Sequence, residues 1–515
     1  MNTKMNTKTE LAIESVLRLH PRDQVGIALQ EVRKGEPVTP SLSAVDSIPV
    51  GHKVALECVR AGEQVRKFGQ SIGEAYEYIP AGTHVHIHNL RFNPDNTLRS
   101  VEPKAQEAPG TALSRVFNGI VRPDGRVATR NYIGVICSVN CSGNVARAIA
   151  DSFRANETLD RHLGIDGVVA LTHRTGCGID SAGEAADVLR RTIAGYARHP
   201  NFAGVLLVGL GCEANQISHL MQRECLKESS RLRTLIIQDS GGTGAAIRRG
   251  TEIVREMLVA FANPVREPVS ASHLTLALQC GGSDGFSALS ANPALGVASD
   301  ILVRHGGTVV LSETPEIYGA EHLLLLRSRS PEVAAKLRER IEWWEEYAKV
   351  HGGSLDNNPS PGNKLGGLTT ILEKSLGAVC KAGASPLMQV YRYAEPITES
   401  GLVFMDAPGF DPVAATGQIA SGANIMCFTT GRGSCFGAKP TPSLKLSTNT
   451  PLYKRMAGDI DINCGEVLDG DCSLQAMGQV IFDRIISVAS GEKTCSERLG
   501  YGEDEFAPWQ LGGTF

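Results

Sequence analysis

The sequence predicts an α/β protein, in which a small β-rich N-terminal domain precedes a large α/β region with mainly parallel sheets in two subdomains. Short apolar runs separated by turn residues fill the N-terminal part, whereas strand-like runs alternate with helical patterns from about Ile133 onward. The chain of 515 residues also exceeds the size of one compact core. We expect domains at 1–95, 115–265 and 266–515, with a polar linker at 96–114 that lacks apolar periodicity.

The composition argues against several classes of partner. A net charge of −4 leaves no basic surface for nucleic acid or for an anionic membrane. No apolar run approaches the roughly 20 residues of a spanning helix, and the start of the chain lacks the apolar segment of a signal peptide. We therefore expect a cytoplasmic protein that acts on a small molecule. Its 13 cysteines are expected to be reduced thiols rather than disulfides.

The predicted N-terminal domain ends in a run of alternating histidines. Strict alternation of a strand would place His84, His86 and His88 on one face, and His52, which follows a turn, could join them. A solvated polar face of an edge strand is the plainer explanation. The functional alternative is a metal or anion site, because neutral imidazole is a common ligand of transition metals.

Four cysteines follow four predicted strands. Cys280 follows the apolar run 274–278, and Cys141, Cys177 and Cys212 follow similar runs upstream. Predicted helices at 145–153, 182–197 and 286–305 would serve as crossovers of parallel sheets. Ligands of open α/β sheets bind outside the carboxyl ends of the strands. If the four strands share one sheet, the four thiols therefore line one edge of it.

Further polar groups lie in turns and loops that packing alone would not require. Glu313 follows the predicted strand 308–311, and Asn363 and Lys364 end a loop made rigid by proline. Thr430 and Arg432 offer a hydroxyl and a guanidinium that can bind a carboxylate. The residues Arg130, Asn131, Ser283 and Asp284 are second-rank candidates. A Gly-rich turn at 239–244 could hold a phosphate, but it lacks the full dinucleotide-binding spacing.

Several long motifs resemble the altronate/galactarate dehydratase family over nearly the whole chain. They are Gly51-His52-Lys53-Val54-Ala55-Leu56, Gly209-Leu210-Gly211-Cys212-Glu213, Gln279-Cys280-Gly281-Gly282-Ser283-Asp284, Asn358-Pro359-Ser360-Pro361-Gly362-Asn363-Lys364 and Thr430-Gly431-Arg432-Gly433. The alternating histidines resemble altronate dehydratases more than galactarate dehydratases. The resemblance implies an N-terminal domain of the SAF (β-clip) type. It also implies iron(II)-dependent dehydration of a sugar acid to a 2-keto-3-deoxy sugar acid. Within the family, these motifs favour D-altronate as the substrate and 2-keto-3-deoxy-D-gluconate as the product.

Two metal settings are compatible with that chemistry. His52, His84 and His86 could hold a mononuclear Fe²⁺, replaceable by Mn²⁺, or Cys141, Cys177 and Cys280 could hold an iron–sulfur cluster. The acid/base candidates are His173, Lys364 and Glu313. The expected substrate-binding residues are Asn363, Arg432, Thr430, Ser283, Asp284, Arg130 and Asn131. A homodimer is expected from base rates alone.

Three other functions compete with altronate dehydration. The first is dehydration of galactarate, or a related hydro-lyase or sulfo-lyase reaction of the same family. The second is a regulator that binds a sugar acid without catalysis, although such a protein would be expected to lose its candidate ligands. The third is a nucleotide-dependent oxidoreductase, which rests only on the turn at 239–244.

Overall fold

The computed structural model describes residues 15–94, 101–103, 114–154 and 164–512, so most of the predicted linker at 96–114 lies outside the described residues. The chain forms two compact units. The first unit combines Met1–Asn96 with Pro359–Lys374, and the second combines Thr97–Asn358 with Ser375–Phe515. The predicted fold class is confirmed, since a β-rich N-terminal part precedes a region with parallel sheets.

The first unit is built from short antiparallel strands. Its sheets have the strand orders β1-β2-β5-β8 and β6-β7-β9, and β3 and β4 form a hairpin. The strands are β1 (Val16–Leu17), β2 (Val25–Ala28), β3 (Pro37–Thr39), β4 (Leu42–Ser43), β5 (Lys53–Ala55), β6 (Gln64–Lys67), β7 (Gln70–Ala75), β8 (His84–Val85) and β9 (Leu90–Arg91). Small aliphatic side chains such as Val32, Ile48 and Val54 form a core between the strands.

The described residues of the second unit form one antiparallel and two parallel sheets. Their strand orders are β11-β10-β16, β13-β12-β14-β15 and β19-β20-β18-β17-β21-β22-β23. The strands are β10 (Val116–Val121), β11 (Val127–Ala128), β12 (Tyr132–Cys137), β13 (Gly167–Leu171), β14 (Phe202–Gly209), β15 (Leu232–Ile236), β16 (Glu267–Ser270), β17 (Thr275–Cys280), β18 (Thr308–Ser312), β19 (Leu387–Tyr391), β20 (Gly401–Met405), β21 (Ile425–Thr430), β22 (Ser443–Ser447) and β23 (Ile462–Asn463).

Helices connect and cover these parallel strands. In chain order they are α1 (Gly143–Arg154), α2 (Glu184–Arg198), α3 (Ile217–Arg223), α4 (Thr243–Ala260), α5 (Ala291–Arg304), α6 (His322–Leu325), α7 (Pro331–Val350), α8 (Pro361–Leu365), α9 (Ile371–Val379), α10 (Asp411–Ala420), α11 (Thr450–Arg455), α12 (Leu474–Ala489) and α13 (Cys495–Leu499). Helix α7 begins at Pro331, because the side chain of Ser330 caps its first turn and proline is favoured at the first helical position. Across the described ranges, no helix is long and apolar enough to cross a membrane.

The parallel strands are buried on both faces, which explains their continuous apolar runs. Every residue of β12, β14 and β21 is buried. In the seven-stranded sheet, β17 pairs with β18 on one side and with β21 on the other. The chain reverses its direction of growth across the sheet at β17 and β21, so their carboxyl ends form the crevice where such sheets bind ligands.

The condition that the four cysteine-bearing strands share one sheet is not met. Cys141, Cys177 and Cys212 follow β12, β13 and β14 of the four-stranded sheet, whereas Cys280 ends β17 of the seven-stranded sheet. A strand-like run in the sequence locates a strand end, but it carries no information about which sheet the strand joins.

Candidate active site

A cluster of imidazoles lies in the first unit. The ring centroids of His52 and His84 are 5.1 Å apart, those of His52 and His86 are 5.1 Å apart, and those of His84 and His86 are 5.4 Å apart. Pairing of β5 with β8, in which Val54 lies opposite His84, brings His52 to the other two. The predicted uninterrupted strand is wrong, because β8 ends at Val85 and the chain then turns.

Backbone carbonyl groups fix the orientation of two of these rings. Nε2 of His86 lies 2.9 Å from the carbonyl oxygen of Lys364, and Nε2 of His52 lies 3.3 Å from that of Leu365. A carbonyl oxygen accepts only, so Nε2 carries the proton in both rings and Nδ1 keeps a lone pair. Nδ1 of His52 is 3.0 Å from Nε2 of His84, and by the same logic His84 is the donor of that hydrogen bond.

The three rings are neutral at physiological pH. Burial, followed by the charges of neighbouring histidines, lowers the pKa of His84 to about 3. Burial likewise lowers the pKa of His86 to about 4, and it lowers the pKa of His52. Neutral imidazoles whose second nitrogen is bonded to a carbonyl are the usual form of histidine ligands to a metal. The donor set therefore suits a mononuclear transition metal.

The arrangement of the rings still requires a change before it could enclose an ion. Within residues 15–94, 101–103, 114–154 and 164–512, no group of three or more His, Cys, Asp or Glu side chains already has a metal-holding arrangement. For Nε2 of His84 to bind an ion, its proton would have to move to Nδ1 of the same ring, and the rings would have to rotate about their side-chain bonds. Since the rings are already neutral, metal binding at this cluster requires a change of tautomer but no loss of a proton to solvent.

The segment 359–374 of the first unit carries Asn363 and Lys364. Ser360 and Asn363 form a capping box that closes the first turn of α8, in which each side chain bonds to the backbone of the other. Lys364 is half-buried, and its carbonyl oxygen is bonded to His86. The structure thus places the predicted residue Lys364 next to the histidine cluster within the same unit.

A buried ion cluster of Lys53, Lys67 and Glu373 supports this segment. Nζ of Lys53 lies 2.8 Å from Glu373, and Nζ of Lys67 lies 2.9 Å from it. All three side chains are at most 1% exposed. The sequence did not reveal this cluster, because the charged residues follow no pattern that distinguishes them from surface residues.

A second charged cluster lies in the second unit, at the carboxyl ends of β17 and β18. Nζ of Lys381 is 2.8 Å from Sγ of Cys280 and 3.1 Å from Glu316, and the Cys280 thiol is 3.3 Å from both oxygens of Glu316. Burial alone would lower the pKa of Lys381, but the charges of Cys280 and Glu316 outweigh it and raise that pKa. Lys381, which the sequence reasoning missed, is therefore a buried cation.

Glu313 stands beside this cluster on strained backbone. Its φ of 69° and ψ of 79° lie in the left-handed region, and its side chain is 2% exposed. Left-handed backbone costs a residue with a side chain about 1–2 kcal/mol. Such strain tends to persist where function requires a side chain to point in one direction. The geometry therefore supports Glu313 among the predicted acid/base residues.

The crevice at β17 and β21 contains Ser283, Asp284, Thr430 and Arg432. Asp284 accepts hydrogen bonds from Thr448 at 3.0 Å and from Asn449 at 3.1 Å, and burial raises its pKa. A Cβ at Gly431 would stand 2.1 Å from the Asp284 carboxyl carbon, so only glycine fits there. Asp284 thus holds the two turns together. The side chain of Arg432 is exposed and available to a ligand.

Three predicted site residues have structural partners instead. His173 is 6% exposed, its Nε2 lies 3.0 Å from the Cys137 carbonyl, and its Nδ1 accepts from Thr175. Arg130 forms a buried ion pair with Glu497 and bonds to backbone carbonyls, and the Asn131 amide bonds to the Gly164 and Phe261 carbonyls. Because other protein groups already occupy the hydrogen-bonding positions of these three side chains, we assign them no role in substrate binding or proton transfer.

The cysteines proposed as cluster ligands are not gathered. Cys141 and Cys177 are exposed beside the four-stranded sheet, whereas Cys280 is buried against Lys381 and Glu316. Cys141 and His173 do share the wall of a cavity of about 1190 Å³, which Arg147 and Arg174 also line. The geometry gives no support to an iron–sulfur cluster held by Cys141, Cys177 and Cys280.

Comparison with protein families covers most of the chain. Residues 14–93 match the altronate/galactarate dehydratase SAF domain, and residues 119–262 match the second domain of D-galactarate dehydratase/altronate hydrolase. Residues 271–514 match the C-terminal domain of D-galactarate/altronate dehydratase.

Three curated relatives are similar along nearly their whole length. The chain is 35% identical over 495 residues to altronate dehydratase of Bacillus subtilis, covering 95% of this chain and 98% of the relative. It is 35% identical to altronate dehydratase of Escherichia coli, covering 95% and 97%. It is also 35% identical to galactarate dehydratase (L-threo-forming) of Escherichia coli, covering 94% of each chain.

Proposed function

This chain belongs to the D-galactarate/altronate dehydratase family, and from that premise we propose that it dehydrates D-altronate to 2-keto-3-deoxy-D-gluconate. It is an enzyme of the hydro-lyase type that acts on a sugar acid. The observation that carries the proposal is the strained, buried Glu313 beside the Cys280–Lys381–Glu316 cluster at the strand ends of the seven-stranded sheet.

The reaction requires removal of a proton from the carbon next to a carboxylate. That carbon acid is weak, so the enediolate that forms needs electrostatic stabilisation. In our proposal, Glu313 takes the C2 proton and returns it to the C3 hydroxyl, which leaves as water. The resulting enol then tautomerises to the 2-keto acid. One carboxyl group can serve as base and then as acid, provided that it is held in a fixed position.

Other residues bind the sugar acid in this proposal. In the first unit, we propose that the ammonium group of Lys364 and the amide of Asn363 bind oxygens of a sugar acid. In the second unit, we propose the same role for Arg432 and Thr430. Ser283 lies in the same turn as Asp284, whose role is to fix that turn.

A divalent metal fits the first unit better than the iron–sulfur alternative fits the cysteines. His52, His84 and His86 would hold Fe²⁺ or Mn²⁺, since they are neutral and two of them keep an Nδ1 lone pair. Such an ion, when bound, would act as a Lewis acid toward the substrate carboxylate.

The proposal is tested by measuring 2-keto acid formation with anaerobically purified protein. Altronate, galactarate and sulfolactate are each supplied with added iron(II) or with chelator, and the visible absorption spectrum is recorded on the same sample. We expect turnover of altronate, loss of turnover with chelator, and no broad cluster absorption. Broad cluster absorption would instead favour the cysteine ligands.

Galactarate dehydration is the second candidate, because the chain is 35% identical to both kinds of dehydratase. The same assay separates the two substrates by their kcat/KM values. If none of the three substrates yields a 2-keto acid while altronate still binds in calorimetry, the chain is a sugar-acid-binding regulator, and the proposed activity is wrong.

A further inference from the structure

The segment 359–374 is held to the first unit through its backbone. Three of the four carbonyl groups of residues 364–367 each accept a hydrogen bond from a side chain of the β-rich part. The Lys364 carbonyl accepts from His86 at 2.9 Å, the Leu365 carbonyl from His52 at 3.3 Å, and the Gly367 carbonyl from Nζ of Lys53 at 2.6 Å. The segment therefore has one defined register against these strands.

The packing at Gly367 shows how closely the segment approaches. Its φ of +98° is in the left-handed region, and a Cβ there would lie 2.4 Å from the Gly51 carbonyl oxygen. Glycine is required for both reasons. Gly51 is next to His52, so the loop and the histidine cluster are fitted to each other at this point.

Glu373 connects the anchoring groups. One carboxylate oxygen accepts from Lys67 at 2.9 Å, and the other accepts from Lys53 at 2.8 Å. The latter oxygen also accepts from the Thr369 backbone at 3.0 Å and from its hydroxyl at 2.8 Å. Without this carboxylate, two buried ammonium groups would face each other, and Lys53 would lose the partner that directs it toward Gly367.

We infer that Glu373 is a positioning residue for the substrate-binding loop. Acting through Lys53, it sets the backbone of residues 364–367 so that Lys364 and the rings of His52 and His86 keep a fixed relation. The inference rests on the proposed function in so far as Lys364 is taken to bind the substrate. The carboxylate itself is 1% exposed, and both of its oxygens are bonded to groups of this unit.

The test uses the full-length Glu373→Gln variant and two readouts. The first is steady-state kinetics with altronate and iron(II). We expect KM to rise on the order of tenfold to hundredfold, with a smaller change in kcat, because the loop that binds the ground state is misplaced. The second is native trypsin cleavage of the Lys364–Leu365 bond, followed by mass spectrometry. We expect faster cleavage in the variant, because the anchored loop must open to enter the protease.

Asp23→Asn is the matched control in the same unit. Asp23 is fully buried, and its carboxylate accepts from the backbone of Gly69 at 2.6 Å and of Phe68 at 3.0 Å instead of from the loop. We expect Asp23→Asn to lower stability while leaving KM and cleavage after Lys364 at the wild-type values. General destabilisation and loop misplacement are thereby separated.

A second variant keeps the test decisive if Glu373→Gln does not fold. Lys53→Met leaves Glu373 paired with Lys67 as a neutral pair, yet removes the donor to Gly367, so the same two changes are expected. The inference is overturned if the folded variant shows KM and cleavage rates equal to those of Asp23→Asn. If the wild-type protein forms no 2-keto acid, the proposed function fails, while the cleavage rates still decide the inference.

Discussion

Two buried ion clusters, one in each unit, differ in their excess charge. In the first unit, two lysines surround one carboxylate, Glu373, and the cluster supports backbone. In the second unit, one lysine, Lys381, faces a carboxylate and a thiol at strand ends. Buried charge of this kind adds little stability by itself, since desolvation offsets attraction. The difference indicates that the first cluster positions a loop. In the second cluster, Lys381 stabilises the charge of acidic groups at the strand ends where we propose catalysis.

The largest expected effect concerns the residue beside the second cluster. Glu313→Gly should lower kcat by about 10²–10⁴-fold, because the proposed acid/base group is lost. Its effect on the free energy of unfolding should be small, because glycine adopts the φ of 69° without strain, which offsets part of the loss of a buried carboxylate near Lys381. Steady-state kinetics and urea unfolding measure the two effects. A variant that keeps its activity would contradict the assignment of Glu313.

Glu313 also shows what the sequence could and could not reveal. Its position after the strand 308–311 was evident, and it made the residue a candidate. Its left-handed backbone could not be predicted, since the motif Ser312-Glu313-Thr314-Pro315 contains no glycine, the residue that usually indicates a positive φ. Likewise, alternation and a turn were enough to predict that His52 would join His84 and His86. The sequence does not predict the bend after Val85, because alternating polar residues are compatible both with a continuing strand and with a turn.

Removing the cation of the second cluster should have the next largest effect, which is on the free energy of unfolding. Lys381→Met leaves a buried carboxylate and thiol without their partner, and we expect a loss of about 3–5 kcal/mol in the free energy of unfolding at neutral pH. Lys381→Arg keeps the charge and serves as the control. If Lys381→Met unfolds at the same urea concentration as Lys381→Arg, the cluster does not require a cation.

The pH dependence of stability should distinguish the two clusters. Burial lowers the pKa of Lys53 to about 8, below its unfolded value of 10.5, so the unfolded chain binds more protons between these values. The contribution of Lys53 should therefore rise from pH 8 to pH 10.5, by up to about 1.4 kcal/mol per pH unit. The pKa of Lys381 is raised, so its contribution is complete below pH 10.5 and is lost only above that value.

This contrast is measured with two variants. The difference in unfolding free energy between wild type and Lys53→Met should change with pH across that window. The difference between wild type and Lys381→Met should remain constant up to about pH 10. If the two differences in unfolding free energy change with pH in the same way, the pKa values of Lys53 and Lys381 are not shifted in opposite directions.

The smallest expected effect concerns a cysteine at the other parallel sheet. Cys212 is exposed, and its Sγ accepts a weak contact from Gln238 at 3.5 Å. Cys212→Ser should change kcat/KM by no more than about twofold, as for most surface substitutions. Loss of turnover together with loss of bound iron would restore the strand-end cysteines as ligands.

Some contacts that define the fold join residues that lie far apart in the sequence. Strand ends and helix bounds such as Gly167–Leu171 and Pro331–Val350 follow from local patterns. The partners Lys53 and Glu373 are separated by 320 positions, and the assignment of 359–374 to the first unit depends on such contacts. The sequence makes His173 an acid/base candidate. Its two hydrogen bonds to the backbone, which argue against that role, depend on the fold and cannot be predicted from the sequence.

The most direct test of the central claim is the rate of 2-keto acid release from altronate by the wild-type enzyme and by Glu313→Gly, assayed side by side with iron(II) under anaerobic conditions. We predict turnover by the wild-type enzyme and loss of about 10²–10⁴-fold in the variant, which remains folded. Equal rates in the two proteins, or no keto acid from the wild-type enzyme, would contradict it.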